Sequence, residues 1–127
     1  MFRCVMAGLT AALLCGSAAA QVQRNFPPTA LRGWLAITTP PDALLNDEAV
    51  RLAPGARIRG SDNMMKMSAA LAGAARMLVH YTIDTSGLVK DVWILTPDEA
   101  ARKPWPRTPE EALTWSFDPI AQVWSKP

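Results

Sequence analysis

The chain has 127 residues, a formal net charge of +2 and hydrophobic residues at 50% of its positions, as expected for one small globular domain. Charges of both signs are interleaved, and the one basic cluster, Arg51, Arg57 and Arg59, fits solvated strand faces, so nucleic-acid binding is not expected. Both cysteines, Cys4 and Cys15, lie in the first 20 residues. Without that segment the chain has no thiol, which excludes a cysteine nucleophile, a redox CxxC pair and a thiolate metal site.

Residues 1–20 have the pattern of a secretory signal peptide. A short start with Arg3 precedes an apolar run from Cys4 to Cys15, and Ala18-Ala19-Ala20 is a small-x-small cleavage site. The alternative is an uncleaved membrane anchor, but the run is short and rich in Ala and Gly, whereas a spanning helix needs about 20 apolar residues. No later segment is long and apolar enough to cross a membrane. We therefore expect a periplasmic or secreted protein.

A lead-in and a first strand follow the leader. Residues 21–30 are polar and contain prolines, which predicts a flexible lead-in. The stretch 31–38 alternates between apolar and other residues, as a half-buried strand does. Pro40-Pro41 ends this strand, because proline cannot donate a hydrogen bond to a β-ladder.

Residues 44–63 alternate between short strands and turns. The segment 44–52 predicts a hairpin that turns at residues 46–48. Ala53-Pro54-Gly55-Ala56 then predicts a type II turn, since Pro and Gly occupy its two central positions. A brief strand over 57–59 and a turn over 60–63 complete this part of the chain.

Residues 64–76 allow two interpretations. Their Met and Ala content favours a helix, which Ser61 or Asp62 is placed to cap. The alternative is a strand over 63–68, with Met65 and Met67 on one face. We expect the strand, because the surrounding segments are all turns and strands.

The clearest element is a hairpin over residues 77–95. Both halves alternate as strands, and the first half places Val79 and Tyr81 on one face and His80 on the other. The segment between them, Asp84-Thr-Ser-Gly87, is a turn sequence, since Asp begins type I turns well and Gly accepts a left-handed conformation.

The tail over residues 97–127 combines short helices with proline and tryptophan. Thr96-Pro-Asp-Glu99 and Thr108-Pro-Glu-Glu111 each place Thr at the N-cap, Pro at the first helical position and Glu at the third, which predicts two capped helices. Lys103-Pro-Trp-Pro106 lies between them and is expected to run extended. Apolar residues after position 114 favour a tail that packs on the β domain.

These elements predict a mainly β, single-domain fold. The β domain covers residues 31–96 and is a small barrel or sandwich, and the tail 97–127 packs on it. An SH3-like and an OB-like strand order are both compatible with the pattern.

Three stretches carry a resemblance to a known group of proteins. They are Leu44-Leu-Asn46, Arg51-Leu-Ala-Pro-Gly-Ala-Arg-Ile-Arg59 and Asp91-Val-Trp-Ile-Leu-Thr-Pro97, the last containing the motif VWILTP. On these residues the chain resembles small, uncharacterised exported proteins of Gram-negative bacteria. The resemblance implies export and one compact domain, and it transfers no activity and no site residue.

We expect the protein not to be an enzyme, because no set of residues assembles a catalytic site. Asp84-Thr-Ser-Gly87 departs from the aspartic-protease signature, in which Gly directly follows Thr or Ser, and that mechanism needs a second carboxylate. His80 is the sole histidine and is interpreted as a half-exposed strand residue, since no serine lies in a GxSxG elbow. Glu110 and Glu111 fit first-turn positions that favour the helix dipole.

Methionines supply the alternative hypothesis, periplasmic Cu(I) binding. Met64, Met65 and Met67, with Met77 and His80 downstream, bring thioethers close together in sequence, and thioethers select Cu(I). Two observations weigh against copper. Methionine is also a flexible gap-filler in small cores, and residues 77 and 80 face opposite ways on a strand.

The expected function is binding, without a cofactor, to an envelope protein or a glycan. Six aromatic residues are candidates for a stacking surface: Trp34, Tyr81, Trp93, Trp105, Trp115 and Trp124. Trp105, between two prolines, is the best candidate for an exposed contact residue. We place the site in the groove between the 77–95 hairpin and the tail, with Tyr81, Trp105 and Arg107 as its contacts.

Overall fold

A computed structural model describes residues 23–127 of the chain. The predicted signal peptide, 1–20, lies outside the described residues. None of the helices within 23–127 has the length and apolar character that a membrane crossing requires.

The described chain folds into eight strands and three short helices. In chain order they are β1 (Leu31–Ile37), β2 (Asp42–Leu45), β3 (Glu48–Arg59), β4 (Met65–Lys66), α1 (Ser68–Leu71), β5 (Met77–Ile83), β6 (Val89–Ile94), α2 (Pro97–Ala100), α3 (Pro109–Thr114), β7 (Ser116–Asp118) and β8 (Val123–Ser125).

Five of these strands close a small mixed barrel, which confirms the mainly β fold. Neighbours around the barrel follow the order β2-β1-β5-β6-β3, and β3 pairs back onto β2. The pairings are antiparallel except for β3 with β6, which is parallel. The parallel pair joins the third and fifth strands of the barrel, β3 and β6. Of the two strand orders expected, SH3-like and OB-like, this is the OB-like order.

The predicted hairpin of β2 and β3 is present with a two-residue turn. Asn46 and Asp47 have φ of 54° and 66°. Positive φ at both central residues is the geometry of a type I′ turn, whose twist matches that of the paired strands. The Asn46 side chain also accepts a hydrogen bond from the Trp34 amide at 3.0 Å, which ties the turn to β1.

The turn predicted at residues 53–56 does not reverse the chain, because β3 continues through these residues. Its pairing with β6 shifts register between Leu52 and Arg57, and Gly55 has a φ of 76°. Pro54 and Gly55 therefore form an irregularity within one long strand. Local turn preference yields here to the parallel pairing with β6 on both sides.

Neither interpretation of residues 64–76 holds over the whole segment. The expected strand is reduced to β4, which pairs with the end of β3, and the helix is reduced to the four residues of α1. Gly73 then donates to the Ile37 carbonyl at 2.9 Å and returns the chain to the barrel.

The hairpin of β5 and β6 is confirmed, and its inner face fills the barrel. The Asp84 carboxylate accepts from the Ser86 and Leu88 amides, both at 2.9 Å, which fixes the turn. Apolar side chains from all five barrel strands form the interior: Leu31, Leu35, Ile37, Ala43, Leu45, Leu52, Ile58, Val79, Tyr81, Val89 and Val92.

The tail builds a second apolar cluster on the outer face of the β5–β6 hairpin. Its buried members are Phe26, Ala30, Trp93, Trp105 and Trp124, with Trp115 and Phe117 packed against them. The predicted capping box at Thr96 is complete, whereas at Thr108 only the N-cap bond from the Glu111 amide forms. The tryptophans of the proline-containing tail, Trp105 and Trp124, are thus part of an apolar cluster.

The prediction of a flexible lead-in over 21–30 is wrong for its described residues. Arg24, Phe26 and Ala30 are all buried. The Gln122 side chain accepts a hydrogen bond from the Phe26 amide at 2.8 Å and so ties the lead-in to the tail. The lead-in is therefore packed against the rest of the protein despite its prolines.

Candidate functional site

A groove lies between the outer face of the barrel and the tail, and we call it the tail groove. Its volume is about 430 Å³. The side chains that give it its chemistry are four cations and three tryptophans: Arg32, Lys103, Arg107, Lys126, Trp34, Trp105 and Trp115. Of the three contacts expected from the sequence, Trp105 and Arg107 line this groove and Tyr81 does not.

Arg32 lies at the inner end of the tail groove and is buried. It donates to the carbonyl oxygens of Glu99, Ala100 and Arg102 at 2.9 to 3.2 Å, at the end of α2. It also donates to His80 Nε2 from two nitrogens, at 3.1 and 3.2 Å. Arg32 thereby joins β1 to the tail.

His80 is fully buried, so the half-exposed histidine expected from the sequence is wrong. Its ring stacks on Trp105 at 4.0 Å between centroids, and the Phe26 ring contacts its face edge-on at 4.4 Å. Burial, followed by the positive charges of Arg32, Arg24 and Arg102, lowers the pKa of His80 to about 2. Because Nε2 accepts from Arg32, the neutral ring carries its proton on Nδ1.

Trp105 is not the exposed contact residue that the sequence predicts. Only 5% of its surface is exposed, and its indole N–H donates to the Ala30 carbonyl at 3.0 Å. Its ring is enclosed by His80, Phe26 and Trp124. Although prolines flank it, the Trp105 ring faces inward, where it packs on the rings of His80 and Phe26.

Tyr81 is equally unsuited to ligand contact, because it lies on the inner face of β5. It belongs to the barrel interior and is 5% exposed. Burial also raises the pKa of its hydroxyl. Of the three predicted contacts, only Arg107 is an exposed residue of the tail groove.

Positive charge dominates the rim of the tail groove. Lys103, Arg107 and Lys126 are exposed, and the Lys126 ammonium lies 5.3 Å from the centre of the Trp115 ring. The one carboxylate of the lining, Glu111, accepts a hydrogen bond from the Arg107 amide at 2.9 Å and so belongs to the start of α3.

These cations have no acidic partner within the described part of the chain. The ion pairs among residues 23–127 join Arg24 to Glu99, Arg51 to Asp42 and Lys66 to Asp62. None of them involves the rim of the tail groove. Beside the rim, the Arg76 guanidinium lies 4.9 Å from the centre of the Trp34 ring, which is 37% exposed.

A larger cavity of about 610 Å³ surrounds Arg24 and Glu99, and its principal charges are used within the protein. Arg24 pairs with Glu99 and donates to the carbonyls of Gly60 and Ile94, both at 2.8 Å. Burial raises the pKa of Glu99, but hydrogen bonds from Arg24 and from Thr96 outweigh it, so the pKa of Glu99 lies below its usual value. This pair holds α2 in place.

The surface of β2 and β3 is a second candidate binding surface, since OB-like barrels bind oligonucleotides and oligosaccharides on the corresponding strands. Neither strand carries an aromatic residue. Arg51 is paired with Asp42 at 3.4 Å, and both are exposed. Without aromatic side chains this surface lacks the stacking platform that single-stranded nucleic acid uses.

The methionines of the copper alternative are on the surface. Met64, Met65 and Met67 are 62%, 57% and 76% exposed. They are therefore not core gap-fillers. Met65 and Met67 are two residues apart on extended chain and share a face, while His80 is enclosed elsewhere.

Sequence reasoning named the tryptophans and Arg107 of the tail groove but missed its other cations, Arg32, Lys103 and Lys126, because they are far apart along the chain. Arg32 and Trp34 carried one usable signal, since they alternate with the inward-facing residues of β1. Lys103 and Lys126 carried none, because nothing local indicates that the tail folds back beside β1.

No family model matches the chain, and no curated protein and no solved structure is significantly similar to it. The function is therefore inferred from the side chains of the tail groove.

Proposed function

We propose that the protein is an exported, non-catalytic binding module of the cell envelope and that it contacts its partner through the tail groove. The observation that supports this most is the set of rim cations, Lys103, Arg107 and Lys126, which lack acidic partners within residues 23–127. Unpaired charge beside a half-buried tryptophan, as Lys126 lies beside Trp115, is typical of a recognition surface.

A non-catalytic role is supported by the state of the histidine. His80 is the only histidine, and burial together with the neighbouring arginines keeps the pKa of its ring at about 2. A base of that pKa is neutral but enclosed by Trp105, Phe26 and Arg32. It has no approach to a substrate in the tail groove.

Export is proposed from the leader pattern of residues 1–20. Cleavage after Ala20 starts the mature chain three residues before Arg24, whose side chain is buried against Glu99. The polypeptide mass of the protein purified from its own envelope fraction tests this directly. We expect the mass of residues 21–127, and the mass of the full chain would contradict cleavage.

Native mass spectrometry of the same material tests the binding role. We compare the wild type with the groove variant, Lys103→Gln/Arg107→Gln/Lys126→Gln. The surface variant, Arg51→Gln/Arg57→Gln/Lys90→Gln, loses the same charge at exposed residues elsewhere.

A bound molecule that is lost only from the groove variant is the expected result. Equal retention in all three proteins, or a bare wild-type chain after mild crosslinking in cells, would overturn the proposed function.

Cu(I) binding through Met64, Met65 and Met67 is the second candidate, and their exposure of 57% to 76% favours it. Exposed thioethers are available to a soft ion without unfolding. Replacing all three with Leu keeps the volume and removes the sulfur. Cu(I) affinity, measured by competition with a chromophoric chelator, is expected to fall, and an unchanged affinity would exclude copper.

A further inference from the structure

We propose that the occupant of the tail groove is an acidic peptide segment of a partner protein, whose carboxylates contact Lys103, Arg107 and Lys126. This inference rests on the proposed function and adds the chemical class of the ligand to it.

The charge of the groove calls for an anion. Arg32 at the inner end and Arg107 at the rim both line it, and Glu111 is already bound to the Arg107 amide. The pKa of Arg32 falls to about 10, chiefly through burial and next through the positive charge of Arg107, while Glu99 raises it. Positive charge here is thus incompletely balanced, and an incoming carboxylate relieves the repulsion.

The tryptophans point away from a neutral sugar. A sugar ring stacks on an open indole face, but Arg76 lies over Trp34 at 4.9 Å and Lys126 over Trp115 at 5.3 Å. Cations held in this way keep N–H donors free for an acidic ligand. The indoles therefore position charged groups, and their edges offer apolar surface beside them.

The spacing of the cations points to a chain of several carboxylates. Lys103 and Arg107 flank Pro104-Trp105-Pro106, which is neither helix nor strand, and an irregular stretch of this length spans on the order of 10 Å. Side chains on one face of an extended peptide lie about 7 Å apart, so two acidic residues of such a peptide match a spacing of this order. Acidic side chains along an extended peptide reach both cations, and the half-buried Leu78, which also lines the groove, offers a contact for an apolar residue.

The test uses synthetic probes and the folded protein over residues 21–127. The peptide probe is N-acetylated Glu-Glu-Leu-Glu-Glu amide, and Gln-Gln-Leu-Gln-Gln amide is its uncharged match. A hexamer of galacturonic acid and vesicles of phosphatidylglycerol with phosphatidylcholine represent an acidic glycan and an anionic membrane. Affinities are measured by titration calorimetry, and the indole N–H signals of Trp34 and Trp115 are followed by NMR.

The wild type and the surface variant are expected to bind the glutamate peptide equally, with both indole signals shifted. The groove variant is expected to bind it at least about tenfold more weakly, and raised salt should weaken the wild-type complex, because the contacts are exposed charges. Circular dichroism confirms that the groove variant is folded, as its three substituted side chains are all exposed.

The other outcomes separate the two proposals. If the galacturonate hexamer or the vesicles bind through the groove and the peptide does not, the acidic peptide is wrong and the groove is still a binding site. Equal binding of the peptide by the groove variant, or equal binding of the Gln peptide, also overturns the inference. If none of the probes binds and no partner is lost from the groove variant in the envelope experiment, both proposals fail.

Discussion

Arg24 and Arg32 bring charge into the protein interior, and each is satisfied in its own way. Arg24 pairs with the Glu99 carboxylate and two carbonyls, whereas Arg32 binds three carbonyls and the neutral His80 ring. Buried charge is tolerated only with such compensation. Together the two arginines hold α2 and the residues after it in place, Arg24 through the Glu99 side chain and Arg32 through backbone carbonyls.

Replacing Arg24 is expected to destabilise the protein strongly. In Arg24→Met the Glu99 carboxylate stays buried without its partner, and breaking a buried pair in this way costs about 3–5 kcal/mol. The free energy of unfolding, measured in urea near neutral pH, checks this value. The matched control is Arg51→Met, whose partner Asp42 is exposed and whose pair is expected to contribute less than about 1 kcal/mol.

Two results would contradict this account of Arg24. A loss no larger than that of the Arg51 control means that the buried pair contributes little. A double variant, Arg24→Met/Glu99→Leu, that is no more stable than Arg24→Met means that the uncompensated carboxylate is not the cause.

The lowered pKa of His80 makes the free energy of unfolding depend on pH. Its pKa is 6.5 when unfolded and about 2 in the fold, because burial and then Arg32, Arg24 and Arg102 disfavour the imidazolium. A lowered folded pKa gives stability that is complete above pH 6.5 and is lost as the pH falls. We expect a loss of about 1.4 kcal/mol at about pH 5.5, read from urea unfolding at a series of pH values.

The control for His80 is His80→Gln, which removes the titration and keeps a polar side chain. Its free energy of unfolding is expected to be lower but flat between about pH 6.5 and 5. Glu99 also loses stability on acidification, but only near and below its ordinary pKa of 4.5. A wild-type curve that is flat down to about pH 5 would show that His80 is accessible or protonated in the fold.

Among the elements, the β2–β3 turn places its second residue, Asp47, in a left-handed conformation that residues with a side chain disfavour. Asp47 has a φ of 66°, and its side chain is exposed. Asp47→Gly turns the loop into Asn-Gly, the preferred type I′ pair, and is expected to stabilise the protein by up to about 1 kcal/mol.

Asp47→Ala is the matched variant for the turn. Alanine also removes the carboxylate, but its Cβ disfavours positive φ, so this variant is expected to be less stable than Asp47→Gly by about 1–2 kcal/mol. Thermal unfolding followed by circular dichroism ranks the three proteins. If the Gly and Ala variants are equally stable, the carboxylate and not the backbone decides the turn.

Elements set by local chemistry were predictable, and elements set by distant pairing were not. The Asp84 turn and the Thr96 capping box follow from short-range hydrogen bonds, which the sequence states directly. The turn expected at Pro54-Gly55 gave way to the parallel pairing of β3 with β6. Of the expected contacts, only Arg107 is exposed in the tail groove, because Tyr81 and Trp105 are buried by residues distant from them in sequence.

On the scale of the whole molecule, barrel and tail share one apolar structure. Trp93 on β6 belongs to the same cluster as Trp105 and Trp124 of the tail and Phe26 of the lead-in. A tail packed so extensively is expected to unfold together with the barrel. The backbone that carries the rim cations is then held in place by the full stability of the fold, so the proposed binding would start from a preorganised groove.

Phe26→Ala tests this cooperativity. The Phe26 ring is 3% exposed and contacts the rings of His80, Trp93 and Trp105, so its loss is expected to cost about 3–5 kcal/mol. The control, Leu113→Ala, changes a side chain that is 86% exposed and is expected to cost less than about 0.5 kcal/mol.

Far-ultraviolet circular dichroism reports mainly the barrel strands, and tryptophan fluorescence reports mainly the cluster. If Phe26→Ala lowers both unfolding midpoints by the same amount, lead-in, barrel and tail form one cooperative unit. If only the fluorescence midpoint moves, the tail unfolds independently of the barrel. The groove cations would then be ordered by the ligand and not before it, and binding would carry the cost of ordering the tail.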